Sequence, residues 1–163
     1  KWVGVNTSGC VATISVKEKS TVDNKMDDKN YRTYCVMGDG ELQEGSVWEA
    51  AMAASNYRLD NLCAIIDRNK LQIDGSTENV MALEPLAEKW SSFGWNVVEI
   101  DGHDHNDIID AFAIARATIG QPTLVLANTV MGKGVKSIEN DNKWHGKVPS
   151  KDDLDKFLNE LYC

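Results

Sequence analysis

From residue 33 onward, short apolar runs alternate with segments whose apolar residues recur at helical spacing. A short apolar run is typical of a strand buried in a parallel sheet, and the recurring spacing is typical of an amphipathic helix. This alternation predicts an α/β fold, a parallel sheet with helices on both faces joined by right-handed crossovers. The predicted strands are residues 33–37, 61–67, 95–100 and 122–129, and the predicted helices are 44–57, one starting near Pro85, one capped by Asp104, and one after Ser150.

The apolar faces of these helices predict where each one packs. We expect the first helix to use Val47, Ala50, Ala51, Ala54 and Tyr57, and the third to use Ile108, Phe112, Ala115 and Ile119. Trp48, Trp90 and Trp95 are interpreted as core residues.

The chain has 163 residues, which suits one domain with a substantial core. Residues 1–25 are rich in Val, Thr, Ser and Lys and lack a helical period. We therefore treat 1–25 as an atypical, unassigned N-terminal segment, and 26–163 as the domain itself.

Composition excludes several classes of function. The net charge of −8 without a basic stripe argues against nucleic acid as a partner. No apolar stretch approaches the roughly 20 residues that span a bilayer, and no secretory signal pattern is present, so we expect neither membrane nor export. The widely spaced cysteines, with no C-x-x-C pair, favour reduced thiols and a cytoplasmic protein.

Two polar features follow predicted strands. Gly38-Asp39-Gly40 follows the first, and Asp67-Arg68-Asn69-Lys70 follows the next strand along the chain. Ligands of open parallel sheets bind at the carboxyl ends of strands, so Asp39 and Asn69 can converge there. One carboxylate and one amide oxygen suit Mg²⁺, which takes its remaining oxygens from phosphates and water. Either feature alone is more often an ordinary turn.

A third feature is the segment 130–149, which contains Gly132-Lys133-Gly134 and Trp144-His145-Gly146. A loop of this length without predicted structure is often functional. Taken alone, Lys133 is more simply a solvated lysine and His145 a partly buried loop histidine.

Four segments in order resemble transketolases. They are VMGDGELQEGSVWEAAMAASNYRLDNLCAIIDRNKLQ (36–72), VEIDGHDHNDIIDAFAIARA (98–117), QPTLVLANTVMGKGV (121–135) and IENDNKWHGKVPS (138–150). The first resembles the family's thiamine diphosphate motif, which runs from the Gly-Asp-Gly to Asn69. The resemblance covers residues 26–161 and implies the thiamine-diphosphate-binding fold.

The resemblance implies roles for individual residues. Asp39 and Asn69 resemble side-chain ligands of a Mg²⁺ ion that holds the cofactor diphosphate, and Leu71 resembles the position whose carbonyl completes the set. Gly38 and Gly40 resemble backbone contacts to the diphosphate. His145 resembles a catalytic histidine near the diphosphate and the reacting carbons. Lys133, His103 and Glu44 also fall in family-like motifs, Glu44 where two cofactor-binding halves meet.

The chain departs from the family at both ends. Further N-terminal residues, including a Gly-rich segment near the cofactor, are not matched by residues 1–25, so we expect an N-terminally incomplete domain. The pyrimidine-binding half is also absent. The resemblance therefore implies the N-terminal, diphosphate-binding part of a split, two-chain transketolase that needs a second chain.

The implied activity is transfer of a two-carbon ketol unit between sugar phosphates in the cytoplasmic pentose phosphate pathway, by a homo- or hetero-oligomer. Two alternatives stay open: a deoxyxylulose-phosphate synthase-like fragment, and a non-catalytic cofactor-binding or interaction fragment. We further expect residues 40–54, with Glu41, Glu44, Glu49 and several alanines, to form the face that meets a partner.

Overall fold

Residues 32–162, which the computed structural model describes, are built around a four-stranded parallel sheet of order β1-β2-β6-β5. A two-stranded antiparallel hairpin, β3-β4, lies outside it. The strands are β1 (Thr33–Gly38), β2 (Leu62–Arg68), β3 (Leu71–Gln72), β4 (Gly75–Ser76), β5 (Asn96–Asp101) and β6 (Thr123–Asn128). The predicted parallel α/β architecture is confirmed, while residues 1–25 lie outside the described part.

Helices cover both faces of the sheet, as predicted. They are α1 (Gly45–Asn56), α2 (Thr77–Val80), α3 (Leu86–Ser92), α4 (His105–Ala117) and α5 (Lys151–Tyr162), with 3-10 segments at Asp39–Gln43 and Asn142–Trp144. Helices α1 and α3 pack on one face and α4 on the other. None of the helices within 32–162 is long and apolar enough to cross a membrane.

Tryptophans fill the face between α1, α3 and the sheet. Trp90 and Trp95 are buried, and their rings meet edge to face with centroids 4.8 Å apart. Trp48 packs against Trp90 at 5.5 Å. The indole N–H of Trp95 donates to the carbonyl of Ala51 at 2.9 Å, which ties α1 to the residue that precedes β5. The prediction that these tryptophans belong to the core is confirmed for Trp90 and Trp95, while Trp48 is half-buried and packs against that core.

The opposite face uses smaller residues than expected. Ala111 and Ala115 of α4 are buried against Cys63 and Val125, with Phe112 packed beside them. Ile119 was expected on this face, but α4 ends at Ala117 and Ile119 is 86% exposed. Burial raises the pKa of the Cys63 thiol to about 11, which keeps it protonated at neutral pH.

The alanines of α1 do not form an exposed face. Ala50, Ala51 and Ala54 are buried in the core of the domain, so the expectation that they meet a partner is wrong for these residues. Small side chains here let α1 approach the sheet closely. Glu44 and Glu49 are exposed, and Tyr57, expected on the buried side, is 56% exposed.

Candidate functional site

The Gly-Asp-Gly sequence lies where β1 ends. β1 finishes at Gly38, and Asp39 begins a 3-10 segment in which Leu42 is buried. A Cβ on Gly40 would lie 3.3 Å from the Cβ of Gln72 in β3. Glycine therefore lets the Asp39 loop approach the hairpin closely.

Asp39 joins the ends of β1 and β2. Gly38 and Asp67 are paired in the parallel register, so the loop after β1 lies beside the loop after β2. Oδ2 of Asp39 accepts hydrogen bonds from the Lys70 N–H at 2.6 Å and from Nη1 of Arg68 at 2.9 Å. The structure thus brings Asp39 against the segment that carries Asn69.

Asn69 and Leu71 are fixed by local structure. Oδ1 of Asn69 accepts from the Leu71 N–H at 2.9 Å, which closes a tight turn after β2. Leu71 then pairs with Ser76 in the β3-β4 hairpin. This hairpin and α2 occupy a stretch for which the sequence predicted neither a strand nor a helix. Ser76 caps α2 by accepting from the Asn79 N–H at 3.3 Å.

The oxygens at this edge suit a hard cation. Arg68 and Lys70 both use Oδ2 of Asp39, so neither occupies Oδ1, and the Asn69 amide oxygen has a second lone pair. Within 32–162, no three His, Cys, Asp or Glu side chains cluster as a metal site. A cation here would thus need oxygens from amide, carbonyl and bound phosphate, as Mg²⁺ commonly uses.

Arg68 dominates the electrostatics of this edge. It is buried, and its guanidinium contacts Asp39, Glu78 and Glu84. Burial raises the pKa of Asp39, although hydrogen bonds from Arg68 and the Lys70 N–H oppose that shift. Burial also acts against the charge on Arg68, but its bonds to Glu84 and Asp39 outweigh this and raise the pKa of the guanidinium.

The segment 130–149 reaches the same hairpin. Nδ2 of Asn142 donates to the carbonyl of Ile73 at 3.0 Å, which ties the loop to the tip between β3 and β4. His145 directly follows the 3-10 segment, and its side chain is exposed. Trp144 packs on Phe157 of α5 with ring centroids 5.1 Å apart, so the loop is anchored on its other side.

His103 and Lys133 lie away from the Asp39 edge and line a cavity of about 510 Å³ at the ends of β5 and β6. Nε2 of His103 accepts from the Val130 N–H at 2.8 Å and so supports the start of the loop. The strand order separates this cavity from β1 by β2, because β5 and β1 lie at opposite edges of the sheet. The structure therefore does not group His103 and Lys133 with Asp39.

Sequence reasoning assigned no role to Arg68, Thr77, Glu78 or Glu84. One signal was available for Arg68. Side chains two apart in a strand point to the same face, so Arg68 is expected on the face of Ile66, which lies in the core. The acidic partners could not be found in this way, because they depend on how residues 77–84 fold.

Comparison with known proteins gives a family for this geometry. Residues 4–161 match the family described as "Transketolase, thiamine diphosphate binding domain". An apulose-4-phosphate transketolase subunit of Phocaeicola vulgatus is 45% identical over 159 residues, which are 98% of this chain and 57% of that protein. The 6-deoxy-6-sulfo-D-fructose transketolase subunit of a Clostridium species is 47% identical over 115 residues, 71% of this chain and 42% of that protein.

Comparison with solved structures points to the same family. The transketolase of Campylobacter jejuni superposes with a TM-score of 0.80 at 28% identity, covering 87% of this chain and 23% of that one. The chain spans little more than half the length of the P. vulgatus relative. The predicted resemblance to the diphosphate-binding part of transketolase is confirmed, and the chain belongs to the transketolase family, within its thiamine diphosphate-binding domain.

Proposed function

We propose that the chain supplies the diphosphate-binding side of a two-chain transketolase. The complete enzyme would transfer a two-carbon ketol unit from a ketose phosphate to an aldose phosphate. The observation that supports this most directly is the hydrogen bond of 2.6 Å from the Lys70 N–H to Asp39. It holds two strand-end loops together at the edge where open parallel sheets bind ligands.

In this proposal, Mg²⁺ is held by Asp39, by Asn69 and by the backbone carbonyl of Leu71. These groups would supply three oxygens, and the diphosphate and water would supply the others. Gly38 and Gly40 would let the backbone come close to the diphosphate, because neither residue carries a side chain. The bound cofactor would supply the nucleophilic carbon and the electron sink for ketol transfer.

His145 is the proposed catalytic residue. Its loop is tied to the hairpin through Asn142 and Ile73, next to the strand that carries Leu71. An exposed imidazole there can bind the substrate or move a proton without first being released from a buried contact.

A second chain would carry the pyrimidine-binding domain and complete the site. The P. vulgatus relative is named as one subunit of its transketolase, and this chain covers 57% of it. We propose a homo- or hetero-oligomer that acts on sugar phosphates in the pentose phosphate pathway. A cytoplasmic location remains part of the proposal and rests on the spacing of the cysteines.

The test is a ketol-transfer assay with thiamine diphosphate, Mg²⁺ and a ketose phosphate donor. We expect no turnover by this chain alone and clear turnover when the chain with the pyrimidine-binding domain is added. Turnover by the chain alone would contradict the need for a partner.

Cofactor binding without turnover, even with the partner present, would instead favour a non-catalytic binding fragment. Activity with pyruvate and an aldose phosphate, rather than a ketose donor, would favour the deoxyxylulose-phosphate synthase alternative.

A further inference from the structure

The guanidinium of Arg68 has four polar contacts beside the proposed metal site. Nη1 donates to Oδ2 of Asp39 at 2.9 Å and to Oγ1 of Thr77 at 2.8 Å. Nη2 donates to Glu78 at 3.0 Å and to Glu84 at 2.7 Å. The arginine is only 2% exposed, and its contacts with Asp39 and Thr77 are buried, whereas Glu78 and Glu84 reach it from the solvent-exposed side. Together the four contacts fix the plane of the guanidinium.

The contact with Asp39 restricts how that carboxylate can bind a cation. Oδ2 is used twice, by Nη1 of Arg68 and by the Lys70 N–H. A cation would therefore meet Asp39 through Oδ1, as a single ligand oxygen. Mg²⁺ needs a near-ideal octahedron and binds few carboxylates, so a carboxylate held in one orientation suits it.

We propose that Arg68 is a positioning residue for Mg²⁺, which holds Asp39 so that Oδ1 is presented to the ion. This inference rests on the proposed function, because it takes Asp39 as the ligand. Arg68 does not touch the cation itself. It acts through Asp39, as outer-shell partners of metal ligands commonly do.

The charges around Arg68 agree with this role. One guanidinium faces the three carboxylates of Asp39, Glu78 and Glu84, so Arg68 does not neutralise them by itself, although Lys70 also acts on Glu84. Thr77 shares Nη1 with Asp39, and Glu78 and Glu84 hold the other nitrogen, Nη2. A lysine at position 68 could not make the same contacts, since a single ammonium lacks the planar fork with which the guanidinium reaches all four acceptors.

The competing interpretation is that Arg68 only joins residues 77–84 to the sheet. The two roles predict different responses to Mg²⁺. Loss of a purely structural link would weaken thiamine diphosphate binding at every Mg²⁺ concentration. Loss of a positioning contact would raise the Mg²⁺ concentration needed, and saturating Mg²⁺ would restore binding.

The experiment uses the full chain and the variant Arg68→Lys, which keeps the charge. Thiamine diphosphate binding is measured by calorimetry across a range of Mg²⁺ concentrations. We expect the half-saturating Mg²⁺ concentration to rise about tenfold, the size of effect typical for outer-shell partners. The affinity for the cofactor at saturating Mg²⁺ should stay within about twofold of the wild-type value, because the ligand oxygens are unchanged.

A second variant, Glu84→Gln, guards against an Arg68 variant that does not fold. It weakens one anchor of the guanidinium, and the half-saturating Mg²⁺ concentration should rise in the same direction by a smaller factor. Glu88→Gln, an exposed position on α3, is the control and should cause no rise. An unchanged Mg²⁺ requirement in Glu84→Gln or Arg68→Lys, or an equal loss of cofactor affinity at saturating Mg²⁺, would overturn the proposal.

The same titration with Asp39→Asn distinguishes a failure of the metal assignment from a failure of the Arg68 role alone. If Asp39→Asn binds the cofactor as the wild type does, the metal assignment in the proposed function fails. If Asp39→Asn loses binding while Arg68→Lys and Glu84→Gln behave as wild type, only the role of Arg68 fails.

Discussion

The backbone N–H of Lys70 lies 2.6 Å from Oδ2 of Asp39, and this hydrogen bond joins the loops that follow β1 and β2. It follows from the sheet register, in which Gly38 is paired with Asp67. Because the carboxylate is fixed by the backbone of the neighbouring loop, Asp39 and Asn69 are held together before any ligand binds. Such preorganisation lowers the cost of binding a cation and a diphosphate.

The close approach of Gly40 to the hairpin gives a first prediction. In Gly40→Ala, the new Cβ would lie 3.3 Å from the Cβ of Gln72, so the Asp39 loop or the hairpin must shift. We expect cofactor binding to weaken by about 1 to 2 kcal/mol, roughly tenfold. Calorimetry with thiamine diphosphate and Mg²⁺ measures this.

Gly45→Ala is the matched control, because a Cβ there meets nothing within 4 Å. Equal cofactor affinities of the two alanine variants would show that the contact with Gln72 does not matter.

A second prediction concerns His145. Its side chain is exposed, so His145→Ala should leave thermal unfolding unchanged. With the partner chain present, turnover should fall about 100-fold or more if the imidazole takes part in proton transfer. Lys143→Ala, at another exposed position of the same segment, should retain turnover. Wild-type turnover in His145→Ala would remove this residue from the mechanism.

A third prediction concerns the acid stability that Glu84 provides. Its hydrogen bonds from Arg68 and from the Leu86 N–H lower the pKa of the carboxyl below 4.5, the ordinary value. A carboxyl whose pKa is lowered by folding stabilises the native state above its unfolded pKa, and this stabilisation is lost as the pH falls through the folded value. The effect should be small, because Glu84 is 52% exposed.

The measurement is the melting temperature of wild type and Glu84→Gln from pH 7 to pH 3. We expect the wild type to melt about 1 to 3 °C higher at pH 7, with the gap closing as the pH falls below about 4. A gap that is constant with pH, or that widens in acid, would contradict the assignment.

The sequence was enough to predict the four-stranded sheet, its four longer helices α1, α3, α4 and α5, and the meeting of Asp39 with the Asn69 loop. Apolar periodicity identifies buried strands, and parallel strands must bring their carboxyl ends to one edge. The packing of α1 was harder to predict, because alanines suit both a domain core and an interface. Ala50, Ala51 and Ala54 turn out to be core.

The Arg68 contacts could not be predicted from local pattern. They require Thr77, Glu78 and Glu84 to be brought back beside β2 by the β3-β4 hairpin and α2. Hairpin and helix together span only residues 71–80, and strands and helices this short carry little periodicity to read. The exposure of Ile119 has a similar origin, because the end of α4 at Ala117 decides it.

The proposed function depends above all on Asp39 as a ligand of the Mg²⁺ that would hold the cofactor. Because Asp39 is buried and paired with Arg68, the isosteric change Asp39→Asn tests it with least disturbance of the fold. The control is Asp110→Asn, at an exposed position of α4.

The decisive measurement is calorimetric titration of thiamine diphosphate into wild type, Asp39→Asn and Asp110→Asn, each with and without Mg²⁺. We expect Mg²⁺-dependent binding by the wild type and by Asp110→Asn, and a loss of about tenfold or more in Asp39→Asn because the ligand charge is removed. Equal Mg²⁺-dependent affinity in Asp39→Asn and the wild type would contradict this role of Asp39.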